Sequence, residues 1–523
     1  MENQLDGKIT TIESRPGFGH NMTAVAKGGG VVFTGKMFLD AVRFATAFLL
    51  ARLLGAENYG MYSLALSAAN IGVGMALLGL DAGLTRYVAV MAGRKDDESV
   101  WGTMQIGMSA AMLASALSGT ALYAFAAYVA EQVFHRASVA TLLQLSAVLI
   151  PVLTLSEVLA STIRGFKRMD YPVIAQFVFQ PLVRLVMIVI LALSGFNVVW
   201  AIVTFGLADL AASGMMVYYL NRVYPLKRPL NPAKRDVKGL MSFSLPVWLS
   251  GMMVQFQGTL QALVLGGLSS ITGVGLFSVA SQITDISGRF SSSINVSAKP
   301  VVAQLHDQGD MKQLGQLYQT SNKWAVLVQL PIVLLMVIYP AALLSIFGKS
   351  YLQAAPALVV LAITDLVQVG TGMGGVILDM TGHTRLKLLN SILRLGLYLG
   401  LDLLLIPRWG IMGAATAVMA GEMIVNVLRL IQVYVLFKLL PYNRGFLKPL
   451  VAAAAAAAGA LLLGIWLPAG SNLLHAALGG TLLLLIYAGV IYMLGFSKEE
   501  LFMLNGLKSR TSKLAARFKK TDS

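Results

Sequence analysis

The chain has no cysteine and few charged residues. Without cysteine, its 523 residues cannot form disulfides, thiolate metal sites or cysteine nucleophiles. Charged residues make up 12% of the sequence, against about 25% in a soluble domain. Hydrophobic residues reach 57%, and the mean hydropathy is +0.73. This composition indicates an integral membrane protein.

Acidic residues are scarcer than basic ones, with 24 against 40 and a formal net charge of +16. In a soluble protein this excess would suggest nucleic acid as a partner. Here the cations fall in short loops and tails, as membrane topology favours, so we expect no nucleic-acid partner. Residues 1–27 lack the apolar core and cleavage site of a signal peptide. The first span is therefore expected to act as the insertion signal.

Fourteen apolar stretches predict an all-α integral membrane fold. They cover residues 29–53, 60–90, 101–129, 138–163, 171–193, 197–221, 239–267, 271–300, 320–346, 351–378, 384–405, 409–437, 447–467 and 473–495. Alternate loops, with the span ends beside them, carry 17 Lys and Arg on one side and 4 on the other. By the positive-inside rule, both termini are expected in the cytoplasm.

Features that would make the chain an enzyme are missing from the sequence. Loops between spans do not exceed about 20 residues, which leaves no sizeable outer domain to hold catalytic groups. Neither a phosphate-binding G-x-x-x-x-G-K-S/T loop nor an H-E-x-x-H metal motif occurs. Five separate histidines lie in tails or near span ends, where a solvated role is the simplest interpretation: His20, His135, His306, His383 and His475. We expect no catalytic residue, metal or cofactor, and a carrier driven by an ion gradient or the membrane potential.

The first span carries three charges on one face. Lys36, Asp40 and Arg43 follow at i, i+4 and i+7, which places them on one side of a helix. Charges at membrane depth cost several kcal/mol and face a bundle interior or a watery cavity. Asp40 can form an internal salt bridge with either cation, or the stripe can line a cavity for an anionic cargo. Even the salt bridge leaves one positive charge over.

The sequence repeats itself in two halves. Residues 59–65 (YGMYSLA) recur 215 positions later as 274–280 (VGLFSVA). The aligned pairs include Gly60 with Gly275, Ser63 with Ser278 and, at an offset of 213, Asp209 with Glu422. Both offsets place helices 1–6 over helices 7–12, which predicts two six-helix lobes with a cargo site between them near the midplane. Helices 13 and 14 are then an addition at the C-terminal end.

The predicted organisation follows from the repeat and the charge pattern. It comprises a cytoplasmic N-terminal tail (1–28), an N-lobe (29–222), a basic cytoplasmic linker (223–238), a C-lobe (239–438), helices 13 and 14 (439–496) and a basic cytoplasmic tail (497–523). The last tail has the pattern of an amphipathic helix on an anionic membrane surface, although a disordered basic tail is the alternative. The alanine tract that begins at Val451 gives a thin helix, which suits either a lipid groove or plain helix packing.

Three motifs resemble one family. The run ARLLGAENYGMYSLA at 51–65, GLDAGLTRY at 79–87 and RGF at 164–166 are similar to the polysaccharide flippases of the multidrug/oligosaccharidyl-lipid/polysaccharide exporter superfamily. The resemblance implies two six-helix lobes around a central cavity. It also implies alternating access that flips an undecaprenyl-diphosphate-linked oligosaccharide from the inner to the outer leaflet of the bacterial cytoplasmic membrane. Lipid II flippases of this superfamily have fourteen spans, and the last two form a groove for the lipid tail.

The resemblance also implies partners and leaves alternatives open. Membrane lipids, a polysaccharide polymerase and glycosyltransferases are the expected partners in cell-surface polysaccharide assembly. A multidrug or cation antiporter of the same superfamily would need a net-acidic cavity for cationic cargo. A membrane-embedded glycan polymerase would need a large outward loop, which this sequence lacks.

Deep cations are the predicted ligands for the diphosphate. Arg184, Arg289 and Arg394 lie too far inside their spans to reach the interface cheaply. Guanidinium groups grip phosphate bidentately. When the first span is aligned with the seventh at the 215-residue offset of the repeat, Gln255 corresponds to Asp40. The predicted substrate site is therefore Lys36, Arg43, Arg184, Gln255, Arg289 and Arg394.

Carboxylates within the spans are candidates for coupling to H⁺ or Na⁺. We select Asp40, Asp285 and Asp365, the last because Thr364 and Gln368 supply further oxygens nearby. Pairing with an arginine is the alternative for each, and Asp285 precedes Arg289 by one helical turn. The sequence does not decide between H⁺, Na⁺ and the membrane potential alone.

Overall fold

The computed structural model describes residues 18–226, 236–466 and 472–495, with side chains from Ala41 onward except at scattered positions. Three predicted segments fall outside the described residues: the start of the N-terminal tail (1–17), most of the linker (227–235) and the C-terminal tail (497–523). Within the described ranges the regular elements are all helices, which confirms the all-α prediction.

The N-lobe contains seven helices. They are α1 (Phe18–Leu77), α2 (Leu80–Gly93), α3 (Asp97–Gln132), α4 (Ser138–Gly165), α5 (Asp170–Pro172), α6 (Gln180–Ala192) and α7 (Val198–Val223), with a π-helical turn at Val173–Phe179. α1 breaks at Gly55, where φ is 72° and ψ is 171°. Only glycine adopts this conformation readily, so Gly55 separates the first predicted span from the second.

The C-lobe and the C-terminal addition contain ten helices among the described residues. They are α8 (Val237–Leu268), α9 (Ile271–Asp307), α10 (Met311–Ile338), α11 (Pro340–Ser345), α12 (Ala355–Thr371), α13 (Gly374–Met380), α14 (Thr384–Trp409), α15 (Ile411–Phe437), α16 (Leu447–Trp466) and α17 (Asn472–Met493). Short 3₁₀ turns lie at Lys349–Ala354 and Arg444–Phe446.

Each predicted apolar stretch coincides with a helix, with part of one or with successive helices, but several boundaries differ. Span two breaks at Gly79, which has a φ of 73°. Span nine begins at Met311 and breaks before Pro340, which cannot donate the helical hydrogen bond. Ten helices in the described ranges are long and apolar enough to cross a membrane, and shorter apolar segments lie at Val237–Leu249, Thr259–Leu268 and Leu447–Leu463. The protein is a multi-pass membrane protein, and the count of fourteen crossings stays a prediction.

A large apolar cluster joins the two lobes at one end of the bundle. One cluster combines residues of both lobes, such as Leu64, Ile271 and Tyr351. A second cluster lies mainly within the N-lobe around Leu84, and a third lies within the C-lobe and the last two helices around Trp324. The joined end carries Arg52 and Arg136, and the positive-inside rule predicts that it faces outward.

Helices α16 and α17 pack against each other and onto α10 and α11. Ala452, Ala456 and Ala460 are buried at intervals of four residues along α16. The Tyr487 hydroxyl donates to the Leu327 carbonyl at 2.9 Å and ties α17 to α10. The alanine tract therefore serves close helix packing, which is the role small residues have in membranes.

Candidate functional site

The two lobes cross at a pair of glycines that the sequence repeat aligns. A Cβ on Gly60 would lie 2.0 Å from the Ile271 carbonyl oxygen, and a Cβ on Gly275 would lie 2.0 Å from the Ala56 carbonyl oxygen. Real Cβ atoms do not approach so closely, so both positions require glycine. Each glycine also lies against the amide nitrogen of the other. The repeat thus marks a pseudo-twofold axis between the lobes.

Hydrogen bonds reinforce this crossing. The hydroxyls of Ser63 and Ser278, which are also 215 positions apart, lie 2.8 Å from each other. Nearby, the Tyr351 hydroxyl donates to the Ala51 carbonyl at 3.0 Å, and Arg52 donates to the Ile346 carbonyl at 2.9 Å. We call the region of Gly60, Ser63, Gly275 and Ser278 the lobe crossing. It closes the bundle at the joined end.

A second contact between the lobes runs between α8 and the α1–α2 break. A Cβ on Gly79 would lie 2.1 Å from the Ser244 carbonyl oxygen, so a close backbone approach is needed here as well. The Trp248 indole donates to the Gly74 carbonyl at 2.8 Å. The Gln255 amide donates to the Asn70 carbonyl at 3.2 Å, so this predicted site residue bonds across the two lobes.

A polar cavity of about 510 Å³ lies inside the C-lobe, among α9, α10, α12, α13, α14 and α15. Among its described lining residues, four are cations and two are carboxylates: Lys299, Lys387, Arg394 and Arg429 with Asp365 and Asp379. The amides that line it include Asn295, Asn322, Gln329, Gln368, Asn390 and Asn426. We call this space the C-lobe cavity. A dense set of amides with an excess of cations suits a polar, anionic ligand.

One buried carboxylate organises the wall formed by α14 and α15. Glu422 accepts hydrogen bonds from Arg394 at 3.1 Å and from the Tyr398 hydroxyl at 2.7 Å through the same oxygen. Its other oxygen accepts from the Asn426 amide at 3.0 Å, and Asn426 in turn accepts from Arg429 at 3.2 Å. Glu422 therefore fixes the positions of both guanidinium groups while it balances one of their charges. Counted with the lining carboxylates, it leaves the cavity with one surplus cation.

A neighbouring wall of the cavity carries Asp365 on α12. Asp365 accepts a hydrogen bond from the Ser287 hydroxyl at 2.6 Å. Gln329 donates to the same Ser287 hydroxyl at 3.3 Å and accepts from Ser291 at 2.8 Å. This series of hydrogen bonds connects α9, α10 and α12 through hydroxyl and amide groups, which can both donate and accept hydrogen bonds. It places a half-buried carboxylate beside several neutral oxygens.

The structure brings two predicted site residues, Arg394 and Asp365, into one cavity. Arg289 and Asp285 lie on the exposed surface of α9, and Arg289 follows the cavity-lining Gly288. Arg43 is exposed on α1, with its guanidinium carbon 4.8 Å from the centre of the Phe177 ring. The side chains of Lys36 and Asp40 lie outside the described part of the structure.

Arg184 lies away from the C-lobe cavity. It is only 9% exposed and donates to the Tyr62 hydroxyl within the N-lobe. Its guanidinium carbon lies 4.7 Å from the centre of the Phe205 ring. These contacts hold α6 against α1 and α7. A deep arginine in a membrane protein needs partners, and here the Tyr62 hydroxyl and the face of the Phe205 ring provide them.

Several cavity residues were missed by the sequence reasoning. Asn322, Gln329 and Asn390 are neutral, and a neutral amide within an apolar span does not stand out as a charge does. Glu422, Asn426 and Arg429, however, follow at i, i+4 and i+7 on α15. The same spacing that drew attention to the first span would have identified this wall.

Comparisons with known proteins identify the family. The profile described as polysaccharide biosynthesis protein matches residues 25–306, more than half of the chain. The MatE profile matches residues 246–404, which include much of the C-lobe cavity.

Three relatives share low identity with the chain. Stage V sporulation protein B of Bacillus subtilis is 21% identical over 428 residues, covering 77% of this chain and 82% of that protein. An uncharacterized membrane protein of Methanocaldococcus jannaschii is 25% identical over 244 residues, or 45% and 47% of the two chains. The probable low-salt glycan biosynthesis flippase Agl15 of Haloferax volcanii is 22% identical over 187 residues, or 36% and 40%. The matches to the two archaeal proteins thus span less than half of their lengths.

A solved structure shares the fold. The lipid II flippase MurJ in an inward closed conformation superposes with a TM-score of 0.69 and 13% identity, over 88% of this chain and 99% of that chain. At this identity the likeness shows the fold alone.

Proposed function

Because the chain belongs to the polysaccharide biosynthesis protein family, we propose that it is a transporter that flips a lipid-linked glycan across the cytoplasmic membrane. The cargo in this proposal is an undecaprenyl-diphosphate-linked oligosaccharide, carried from the inner to the outer leaflet for cell-surface polysaccharide assembly. The two lobes alternate access to the cargo. A polysaccharide polymerase and glycosyltransferases are the proposed partners, and both termini face the cytoplasm.

The observation that carries the proposal is the C-lobe cavity. A diphosphate requires cations and a glycan requires groups that donate and accept hydrogen bonds, and this cavity offers both. We assign Arg394 and Arg429 to the diphosphate, because both guanidinium groups line the cavity. The amides of Asn322, Gln329 and Asn390 are assigned to sugar hydroxyls. On binding, the diphosphate competes with Glu422 for Arg394.

The other predicted cations form the remainder of the proposed path. Lys36, Arg43 and Arg289 are assigned to it because charged side chains in spans face a bundle interior or a watery cavity. Gln255 bonds between the lobes in this state, and it is released for cargo only if α8 moves away from α1. Arg184 can serve only in a state that separates it from Tyr62.

Coupling to H⁺ or Na⁺ is proposed at Asp365. Its carboxylate lines the cavity and accepts from Ser287, within a network that also includes Gln329. Binding of a cation there would change the net charge of the cavity by one and so alter its hold on an anionic cargo. Asp40 and Asp285 remain secondary candidates.

A multidrug or cation antiporter is the second candidate function. The MatE match over residues 246–404 favours it, since this range holds much of the cavity. A surplus positive charge, however, opposes entry of a cationic drug. The nature of the cargo therefore separates the two functions.

The test is to delete the gene and to analyse the lipid-linked intermediates of the host. The proposal expects an undecaprenyl-diphosphate oligosaccharide to accumulate in the inner leaflet, and the wild-type gene should restore export. Unchanged intermediates together with raised drug sensitivity would overturn the proposal and favour the antiporter. Purified protein in liposomes should then flip a fluorescent lipid-diphosphate glycan, and protein-free liposomes serve as the inactive control.

A further inference from the structure

A second cavity, of about 760 Å³, lies in the N-lobe and is mostly apolar. Helices α3 and α7 both pack on α4, and the cavity fills the gap between them. Its lining includes Trp101, Met104, Met108 and Met112 of α3, Leu155 of α4, Val217 of α7 and Leu226, which follows α7. Its size is within the range of ligand sites, roughly 300–1,000 Å³.

The sides of this cavity face the bilayer. On α3, the next turns carry Leu113 and Leu117, each 65% exposed. On α7, Val217 lines the cavity and is itself 41% exposed beside the exposed Tyr218. Apolar side chains exposed on the spans of a membrane protein contact lipid chains. The gap between α3 and α7 therefore opens among acyl chains rather than into water.

Stacked aromatic rings close one end of the gap. Tyr224 stacks on Trp101 with ring centres 6.3 Å apart and on Phe166 with centres 5.4 Å apart. The Tyr224 hydroxyl donates to the Asp97 carbonyl at 2.9 Å, at the start of α3. Tryptophan and tyrosine in such positions mark the level of lipid headgroups. An acyl chain in the gap would therefore run from the headgroup level toward the middle of the membrane.

Charged side chains lie at the same end of these helices. Lys95, Lys167 and Arg222 are exposed and lie within six residues, along the chain, of the three stacked rings. Asp97 and Glu98 open α3 beside them, so both signs of charge are present. Exposed cations at the headgroup level attract the phosphate of a phospholipid.

We infer that the gap between α3, α4 and α7 binds one acyl chain of a bilayer phospholipid, with its phosphate at the level of the Trp101–Tyr224 stack. The cargo's own lipid chain is the less suitable occupant. The polar C-lobe cavity lies in the other lobe, beyond the helices α1 and α2 that pack against α8 and α9. Flexible methionines from three successive turns of α3 adapt to a mobile chain.

Bromine on acyl chains quenches a tryptophan that they contact, and Trp101 lines the gap. We would reconstitute the full chain in phosphatidylcholine vesicles with rising fractions of brominated lipid. The Trp101 signal is obtained as the difference between wild type and Trp101→Phe. As a matched control, Trp409→Phe reports a residue that is 58% exposed. A bound chain predicts that Trp101 is quenched at a lower fraction of brominated lipid than Trp409, whereas equal curves or an unquenched Trp101 would overturn the inference.

A second measurement does not depend on fluorescence. Native mass spectrometry of detergent-purified protein should find one retained phospholipid per chain. Met108→Trp fills the gap and should abolish this retention, while Leu117→Trp, on the exposed face of the same helix, should preserve it. Both variants must elute as the wild type does on size exclusion. Equal retention by Met108→Trp and wild type would contradict a site in the gap.

Discussion

Arg394 and Glu422 show how a single residue pair can serve both structure and transport. Glu422 accepts bonds from Arg394, Tyr398 and Asn426, so its carboxylate is well satisfied within the membrane. Removal of one member of a buried pair is costly, whereas removal of both can be nearly neutral. Stability and transport can therefore be separated by mutation.

Arg394→Ala alone should reduce stability by about 3–5 kcal/mol, because Glu422 remains buried without its cation. The double change Arg394→Ala, Glu422→Gln should recover most of this loss but should still fail to flip the lipid-linked glycan. The measurements are thermal unfolding in detergent and flipping in liposomes. Arg136→Ala breaks an exposed pair with Glu57 and should cost no more than about 1 kcal/mol. A double variant that transports normally would remove Arg394 from the diphosphate site.

Asp365→Asn should preserve the fold, because an amide oxygen can still accept from Ser287. It should abolish the dependence of flipping on an imposed H⁺ or Na⁺ gradient, since the amide cannot bind or release a cation in the same way. The measurement is the flipping rate in liposomes with and without each gradient. Asp379→Asn, whose carboxylate pairs with Lys387, is the control that should keep the dependence. Full gradient dependence in Asp365→Asn would exclude this coupling site.

The cavity could be predicted only in part from the sequence, and the reason is chemical. A charge inside an apolar span is costly, so Arg394 and Asp365 were identifiable without coordinates. An amide such as Asn322 or Gln329 costs less and therefore gives no comparable signal. Arg184 was identified as deep, but its partners Tyr62 and Phe205 come from distant parts of the chain. Such contacts depend on which helices pack together, and the hydrophobic periodicity of the sequence does not show this.

At the scale of helices, the repeat was the most informative sequence feature. Its glycines form the lobe crossing itself, since Gly60 and Gly275 each meet the backbone of the other segment. Helix positions also followed from apolar runs, whereas the breaks at Gly79 and before Pro340 depend on local backbone geometry. The number of membrane crossings does not follow from helix lengths alone, because several apolar helices are short.

Gly60→Ala should destabilise the lobe crossing, because its Cβ would overlap the Ile271 carbonyl oxygen. Overpacking of this kind costs about 1–3 kcal/mol. The expected result is faster maleimide labelling of a cysteine placed at Ser278, measured from the outer side in intact cells. Gly214→Ala is a suitable control, because a Cβ there has no neighbour within 4 Å. Unchanged labelling in Gly60→Ala would show that the crossing tolerates the added methyl group.

For the whole molecule, the arrangement of the apolar clusters defines one state of a transport cycle. The lobes share a large core at the crossing. Toward the opposite end, one cluster lies within the C-lobe and the last two helices, and the other lies mainly in the N-lobe with Leu240 of α8 packed into it. Alternating access requires that the shared end open, and this would expose Leu64 and Ile271 or move them onto new partners. The glycine contact suits such a change, because it is held by close packing and by hydrogen bonds between neutral groups, such as the Ser63–Ser278 hydroxyl pair.

Separation of the lobe crossing should be essential for flipping, and a disulfide can test it directly. The chain has no native cysteine, so Ser63→Cys with Ser278→Cys introduces one defined pair. The two hydroxyls lie 2.8 Å apart, close enough for a cross-link between the substituted residues. Oxidation should stop glycan flipping, and a reductant should restore it, because the bond holds the lobes together at this end. Each single cysteine variant, treated with the same oxidant, should transport normally.

A cross-linked protein that still flips its cargo at the wild-type rate would contradict this prediction. The crossing would then be a fixed pivot, and access would have to alternate through the contact between α8 and the α1–α2 break.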